Sequence, residues 1–116
     1  MITVYGIPNC NTVKKARDWL AREGIDYRFH DFKKAGIDAP RLAAWLDAVP
    51  LDKLVNRQGT TWRGLNDEDK ARAATREGAI GLMMANPSLI KRPVLECRGA
   101  VILGFAEERY REALTQ

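Results

Sequence analysis

The sequence has few of the residues from which metal sites and disulfide frameworks are built. It contains one histidine and two cysteines. A structural zinc ion takes four ligands, so a bound metal is not expected. Two cysteines in 116 residues do not form the disulfide framework of a small secreted domain, and we expect a protein of the reducing cytoplasm.

Long hydrophobic runs are also missing. No apolar stretch approaches the roughly 20 residues of a membrane-spanning helix. The sequence enters a strand pattern directly, without the basic region and cleavage site of a signal peptide. We therefore expect no membrane association. There is no internal repeat, low-complexity tract or linker, and residues 1–116 are predicted to form a single domain.

Blocks of like charge are missing as well. The net charge is +4, but acidic residues are interspersed almost throughout the chain. A nucleic-acid binder would cluster its basic residues in a run or stripe, with aromatic residues between them. We therefore expect no direct binding of nucleic acid. The mild positive charge fits a smaller anion, such as an oxyanion or glutathione, or an acidic protein surface.

The most informative residue that is present is Cys10. It follows a β-branched and aromatic strand pattern over residues 2–5, which Gly6 and Pro8 end, and it precedes a predicted helix over 11–23. Unpaired N–H groups and the dipole at a helix N-terminus favour thiolate over thiol, and Lys14 adds to that field, as does Lys15. The pattern predicts a reactive nucleophile. The alternative is a buried cysteine acting as a small hydrophobic side chain.

The middle of the chain is predicted to be helical. Asp38 and Asn66 are good N-caps for two of its helices, and Gly78 is predicted to separate the second of these from a third. In order, the predicted segments are a helix from Asp38 that stops before Pro50, a helical turn over 51–55, a polar loop over 56–61, a helix from Asn66 to Gly78, and a helix over 79–86.

Strand patterns lie on both sides of this helical region. A second strand is predicted over 26–32, closed by a turn over 33–36. Strands over 94–97 and 100–103 are joined by the tight turn Arg98-Gly99, and a last helix covers 106–114. The order β-α-β, helices, β-β-α predicts an α/β fold of the thioredoxin type, with a helical insertion over about 38–90.

Two further residues support this fold. Pro93 lies directly before the third strand, where thioredoxin-like folds carry a cis proline beside the reactive cysteine, so we expect a cis Arg92–Pro93 bond. Val13 occupies the position of the second cysteine in a CxxC dithiol motif. The chain is therefore predicted to use a single thiol.

Four separated segments resemble the ArsC family of glutaredoxin-dependent arsenate reductases, and more closely its YffB branch, which lies beside the Spx regulators. The segments, in the family's order, are Val4-Tyr5-Gly6-Ile7-Pro8-Asn9-Cys10, Asp26-Tyr27-Arg28-Phe29-His30-Asp31, Arg57-Gln58-Gly59-Thr60-Thr61-Trp62-Arg63 and Ile90-Lys91-Arg92-Pro93.

The resemblance implies roles for three residues. Cys10 matches the nucleophile of the arsenate reductases, and Arg57 and Arg92 match two of their three oxyanion-binding arginines. The third arginine is missing, because the chain reads Leu-Gly104-Phe after the last hairpin. Gly6 stands where those enzymes have a histidine. Both departures weaken the expectation that arsenate is the substrate.

The function we expect is that of a glutathione-dependent monothiol reductase. Glutathione is expected as a co-substrate rather than a bound cofactor, with a small oxyanion or a disulfide as substrate and glutaredoxin as a further partner. The alternative is an Spx-like regulator or non-catalytic module that binds the RNA polymerase α subunit. The residues expected to bind substrate or glutathione are Asn9, Asn11, Thr12, Arg57, Arg92, Pro93 and Val94.

The remaining candidates have less specific roles. Thr12 either caps the first helix or donates to the Cys10 sulfur. His30 is expected to be a partly exposed strand residue rather than a general base, and Cys97 a structural residue. Trp62 follows the Arg57 loop and is expected to shape the site.

Overall fold

A four-stranded sheet organises the first of two units into which the chain divides. The structure, a computed structural model, describes residues 2–114; the sheet unit comprises residues 2–35 and 92–114, and the second unit comprises Gly36–Lys91. The strands are β1 (Thr3–Gly6), β2 (Arg28–Asp31), β3 (Val94–Cys97) and β4 (Ala100–Leu103), in the spatial order β2-β1-β3-β4.

Strand direction confirms the predicted thioredoxin-like α/β fold. β1 and β2 are parallel, as a β-α-β crossover requires, whereas β3 is antiparallel to both β1 and β4. The helices are α1 (Asn11–Arg22), α2 (Phe32–Ala35), α3 (Ala39–Ala48), α4 (Leu51–Leu54), α5 (Thr60–Arg63), α6 (Asp67–Arg72), α7 (Arg76–Ala85) and α8 (Glu107–Leu114), with a 3-10 helix at Pro87–Leu89.

One face of the sheet packs against α1 and α8. The ring of Tyr110 meets Trp19 and Phe105 edge-on, with centroids 5.9 and 5.0 Å apart. Burial of these rings against the sheet supplies much of the apolar contact that stabilises this unit. The buried cluster consists of Val4, Ala16, Trp19, Leu20, Leu95, Cys97 and Tyr110.

The hairpin between β3 and β4 forms where it was predicted. Arg98 and Gly99 have φ angles of 51° and 84°, so both central residues of the turn lie in the left-handed region. Two-residue hairpins favour such turns because their twist matches that of the strands. Register pairs Cys97 with Ala100 and Val94 with Leu103.

The helical unit confirms both predicted caps. The Asp38 carboxylate accepts from the Arg41 N–H at 3.0 Å, and the Asn66 side-chain oxygen accepts from the Asp69 N–H at 2.8 Å. Each bond satisfies an N–H that the first turn of a helix leaves without a partner.

The prediction that Gly78 separates two helices is wrong. Gly78 lies inside α7, and Thr75 begins that helix by accepting from the Gly78 N–H at 3.1 Å. A Cβ at Gly78 would overlap the carbonyl oxygen of Arg72, at the end of α6. Glycine is therefore required there by close backbone approach, and the helix boundary is set by the Thr75 hydroxyl.

Three further boundaries differ from the sequence prediction. β2 is shorter than the predicted strand over 26–32, because Phe32 begins α2. Residues 33–35, expected in a turn, belong to that single helical turn, in which the Asp31 carboxylate accepts from the Lys33 N–H at 2.8 Å. The predicted polar loop over 56–61 ends early, since α5 begins at Thr60. Across the described residues 2–114, no helix has the length and apolarity to cross a membrane.

Candidate functional site

Cys10 lies at the first turn of α1, where β1 delivers it. Its N–H donates to the carbonyl oxygen of Ile7 at 3.2 Å, and its own carbonyl accepts from Lys14 at 2.9 Å. Cys10 is the N-cap residue of α1, with extended φ and ψ angles of −89° and 127°. The half-buried side chain therefore lies at the positive end of the α1 dipole, as predicted.

Opposing influences set the thiol pKa of Cys10. Partial burial is the largest and raises the pKa, because it disfavours the charged thiolate. The Val13 N–H, the Arg92 side chain, the Thr12 N–H and the positive charge of Arg92 lower it, in that order. Together they outweigh burial, and the pKa lies below the 9.0 of an ordinary thiol. The sulfur makes no full capping hydrogen bond, so the two N–H groups act as nearby dipoles.

Arg92 reaches the thiol because β3 begins beside β1. The Arg92–Pro93 bond is cis, as expected. Val94 pairs with Tyr5 of β1, and the Pro93 carbonyl accepts from the Gly104 N–H at 2.8 Å. These pairings fix the backbone directly after the cis bond. They bring the guanidinium of Arg92 to a cysteine that is 82 positions earlier in the chain.

Gly6, four residues before Cys10, and Val13, three residues after it, pack closely against each other. A Cβ at Gly6 would lie 2.8 Å from Cγ2 of Val13 and 3.4 Å from Cγ1. Both residues are buried. Gly6 holds the position that the arsenate reductase resemblance assigns to histidine, and Val13 holds the position of a second thiol. Gly6 in place of the histidine and Val13 in place of the second cysteine therefore pack against each other.

The other candidate ligands of the sheet unit differ in accessibility. Asn9 and Asn11 are exposed on either side of Cys10, whereas Thr12 is half-buried and its N–H acts on the sulfur. Cys10, rather than Thr12, caps α1. Pro93 and Val94 are buried, and Val94 also pairs with β4. A small molecule at this site would meet Arg92 and the asparagines before these two side chains.

Arg57 lies in the helical unit, on an ordered turn. The Asn56 side-chain oxygen accepts from the Gln58 N–H at 3.2 Å, and Nη2 of Arg63 donates to the Gln58 carbonyl at 3.1 Å. The exposed guanidinium of Arg57 lies 5.3 Å from the centroid of the Trp62 ring, a cation–π contact. Trp62 thus orients Arg57 on this turn.

Asn56 and Arg63 were not singled out from the sequence. The signal for Asn56 was its position two residues before Gln58, the spacing of an Asx turn. The contact from Arg63 had no comparable signal, because it depends on the short α5 helix that returns this side chain to the turn.

His30 and Cys97 have no direct place at the thiol. His30 is half-buried in β2, with its ring centroid 4.9 Å from that of Tyr5. The Tyr5 hydroxyl donates to Oε1 of Glu96 at 2.8 Å. Cys97 is 6% exposed and belongs to the buried cluster. In the part of the chain that the structure describes, no three His, Cys, Asp or Glu side chains are grouped to hold a metal ion.

Chemically, the site combines a thiol of lowered pKa with a guanidinium group. A thiolate supported by N–H dipoles can attack a disulfide sulfur or another electrophile. A guanidinium at the same point can hold a carboxylate or oxyanion through paired hydrogen bonds.

Residues 5–113 match the model of the ArsC family. An uncharacterised protein of Haemophilus influenzae is 42% identical, with 97% of this chain and 98% of the relative covered. The global transcriptional regulator Spx of Streptococcus pyogenes is 24% identical, with 100% of this chain and 87% of the relative covered.

Solved structures extend the similarity to the fold. A protein named YffB superposes with a TM-score of 0.94 and 44% identity, over 98% of this chain and 99% of the other. An arsenate reductase (ArsC) related protein from Brucella melitensis superposes with a TM-score of 0.75 and 46% identity, over 99% of this chain and 95% of the other.

Proposed function

This chain belongs to the ArsC family, and from that premise we propose that it is a glutathione-dependent monothiol reductase with Cys10 as its nucleophile. The family and its arsenate reductase-related structures indicate a thiol-dependent oxidoreductase. Glutathione and the single-thiol mechanism are our additions. The reaction suits a reducing compartment, and we propose the cytoplasm as its location.

The observation that carries the proposal is the setting of the Cys10 thiol. N–H groups of Val13 and Thr12 and the Arg92 side chain act on the sulfur together and lower its pKa. A larger thiolate fraction near neutral pH makes attack on a disulfide faster. A merely structural cysteine has no need of this arrangement.

A mixed disulfide between glutathione and a second thiol is the simplest substrate. The Cys10 thiolate attacks the glutathionyl sulfur, an S–S bond forms between Cys10 and glutathione, and the substrate's S–S bond breaks to release its thiolate. A second glutathione thiolate then attacks the Cys10–glutathione disulfide. Oxidised glutathione leaves and the Cys10 thiolate returns, so glutathione supplies both electrons.

The resolving thiol comes from outside the chain in this mechanism. The chain has two cysteines, and Cys97 is 6% exposed within the buried cluster. Val13 fills the position from which a CxxC partner would act. A small soluble thiol that reaches half-buried Cys10 meets this requirement, and glutaredoxin is a further candidate.

We assign anion binding to Arg92 and Arg57. Arg92 acts directly at Cys10, where it can hold a carboxylate of glutathione while the sulfur reacts. Arg57 belongs to the helical unit, where its exposed guanidinium lies over Trp62 and can bind a carboxylate or oxyanion. Asn9 and Asn11 offer side-chain amides beside the thiol.

Arsenate reduction is the close variant of this proposal and has less support. Gly104 has a φ of 75°, a left-handed conformation that an arginine adopts only with strain. Gly6 leaves no room for a side chain unless Val13 moves. The site therefore lacks two groups that the family resemblance assigns to arsenate.

Intact mass after incubation with oxidised glutathione tests the proposal directly. We expect one glutathione adduct on the wild-type protein and on Cys97→Ser, and none on Cys10→Ser. Cys10→Ser should also lose glutathione-dependent disulfide reduction. An adduct that persists in Cys10→Ser would contradict the assigned nucleophile.

A second candidate is an Spx-like binding module for the RNA polymerase α subunit. Its support is the similarity, over the whole chain, to proteins named global transcriptional regulator Spx. A pull-down with the C-terminal domain of the α subunit tests it, and retention at physiological salt is expected under this alternative. Absence of retention would remove it.

A further inference from the structure

All four strands begin or end at the edge of the sheet that lies next to Cys10. Gly6 pairs with Asp31, so parallel β1 and β2 end together, one leading to Cys10 and the other to α2. Antiparallel β3 begins at this edge, two residues after Arg92, and β4 ends there with Leu103 opposite Val94. Neighbouring strands are about 4.8 Å apart, so the edge is about 14 Å long.

Cations are present along the whole of this edge. Exposed Lys33 and Lys34 follow β2 on α2, and exposed Lys14 lies one turn beyond Cys10 on α1. Arg92 lies at the thiol. Beyond it, Nη2 of exposed Arg109 donates to the carbonyl oxygen of Leu103 at the end of β4, at 3.0 Å. We name Lys14, Lys33, Lys34, Arg92 and Arg109 the basic edge.

Carboxylates do not neutralise the three lysines. Within residues 2–114, Lys14, Lys33 and Lys34 form no ion pair. The first turns of α1 and α2 contain no acidic residue. Asp31 instead accepts the backbone N–H of Lys33 at 2.8 Å.

In the first turn of α8, Glu107 pairs with a residue outside the basic edge. Glu107 lies 3.8 Å from Arg22, at the far end of α1 from Cys10. Glu108, which is exposed, is the other carboxylate of that first turn.

The element that carries two of these lysines is anchored. Phe32 is 2% exposed and its ring centroid lies 6.4 Å from that of Tyr5. The buried ring holds the single turn of α2 against the sheet, so Lys33 and Lys34 project from a fixed backbone. Cations held on a fixed backbone create a local positive potential that steers an anionic partner to the thiol.

We propose that the basic edge is a docking surface for an acidic polypeptide segment whose glutathionylated cysteine is the substrate of Cys10. This inference rests on the proposed reductase function and adds its substrate class. A segment of about four extended residues matches the edge in length. Its carboxylates meet the lysines and Arg109, its glutathionyl sulfur receives the attack of Cys10, and its cysteine leaves as the thiolate.

A polypeptide fits this edge better than a nucleic acid. Single-stranded nucleic acid binds through aromatic side chains on which bases stack, combined with positive charge. The basic edge has no exposed aromatic side chain: Phe32 is buried, and Phe105 packs against Trp19 and Tyr110. Its cations therefore suit carboxylates, presented one by one along a chain.

Two synthetic peptides of equal length, each with one glutathionylated cysteine, test the proposal. In one peptide four glutamates flank the cysteine, and in the other four lysines flank it. Binding is measured by fluorescence anisotropy with Cys10→Ser protein, and turnover with wild-type protein and glutathione. We expect kcat/KM to favour the acidic peptide about tenfold at low salt, and the preference to shrink as salt is added.

Charge-reversal variants locate the effect on the molecule. Lys33→Glu, Lys34→Glu and Arg109→Glu should each reduce the preference for the acidic peptide severalfold. Arg28→Glu is the matched control, because Arg28 is exposed at the opposite end of β2, and it should keep the preference. None of these side chains touches the sulfur in the proposed mechanism.

The outcomes separate the docking surface from the reductase function. Equal binding of both peptides by Cys10→Ser protein overturns the proposed docking surface. If the wild-type protein then turns over both peptides equally, the reductase function stands without a docking surface. If neither peptide is turned over but the Cys10→Ser protein still prefers to bind the acidic peptide, the reductase function is refuted and the docking surface is retained. The protein could instead bind a single-stranded oligonucleotide tightly, lose this binding in Lys34→Glu, and show no preference between the peptides. That result would assign the basic edge to nucleic acid and overturn the proposal.

Discussion

The contact between Gly6 and Val13 leads to a double-mutant prediction. In Gly6→Ala, the new methyl would lie 2.8 Å from Cγ2 of Val13, whereas carbon atoms pack at about 3.5–4.0 Å. Relief of this overlap costs about 1–3 kcal/mol. The lower entropy of the unfolded chain offsets about 0.4–1 kcal/mol. We expect a net loss of about 1–2 kcal/mol in the free energy of unfolding.

Val13→Ala should also destabilise the protein by itself. Val13 is 0% exposed, and removal of two buried methyl groups costs about 1.6 kcal/mol, with a further cost for the cavity. In the double variant, the methyl group introduced by Gly6→Ala occupies part of the vacated space. The double variant should therefore lose about 1–2 kcal/mol less in the free energy of unfolding than the sum of the two single variants.

Urea unfolding of the four proteins measures this coupling. The thiol pKa of Cys10, obtained from the pH dependence of iodoacetamide alkylation, provides a second readout. Because the Val13 N–H supports the thiolate, Gly6→Ala should raise the pKa and the double variant should restore it. Additive stability losses, within about 0.5 kcal/mol, together with an unchanged pKa in Gly6→Ala, would refute the reasoning.

Three other substitutions and one pH dependence test the thiol site and the residues that stabilise it. Arg92→Met removes a cation that lowers the Cys10 pKa, so the midpoint of alkylation against pH should rise; an unchanged midpoint would exclude the contact. In the wild type, a pKa depressed on folding makes the thiolate stabilising as pH rises through the folded pKa toward 9.0, and the stability difference from Cys10→Ser should grow over that range. Tyr110→Phe deletes a 2.8 Å hydrogen bond from a buried hydroxyl to the Gly104 carbonyl and should lower the free energy of unfolding by about 1–3 kcal/mol, as measured with urea. An unchanged free energy of unfolding would contradict this prediction. Gly104→Arg places a side chain at a φ of 75° and should cost about 1–2 kcal/mol without producing arsenate reduction in a coupled assay; a stable, active variant would show that the missing arginine alone limits that activity.

Local structure was predictable where neighbouring residues alone determine it. The strand, turn and helix around Cys10, the caps at Asp38 and Asn66, and the hairpin at Arg98-Gly99 all depend on interactions within about four residues. The prediction failed at Gly78, where the first turn of α7 approaches the last residue of α6 closely. Gly78 looked like a helix break, but glycine is required there by the Arg72 carbonyl, and Thr75 decides the boundary.

The sequence by itself determined that Cys10 lies at a helix start, because a β-strand, a Gly/Pro turn and an amphipathic helix follow one another directly. Only the tertiary structure decided which charge meets the thiol. The order β2-β1-β3-β4 places the start of β3 beside the end of β1, and this brings Arg92 to Cys10 and the α2 lysines to the same edge. Such pairings depend on strand order and register, which contacts between residues far apart in the chain determine together.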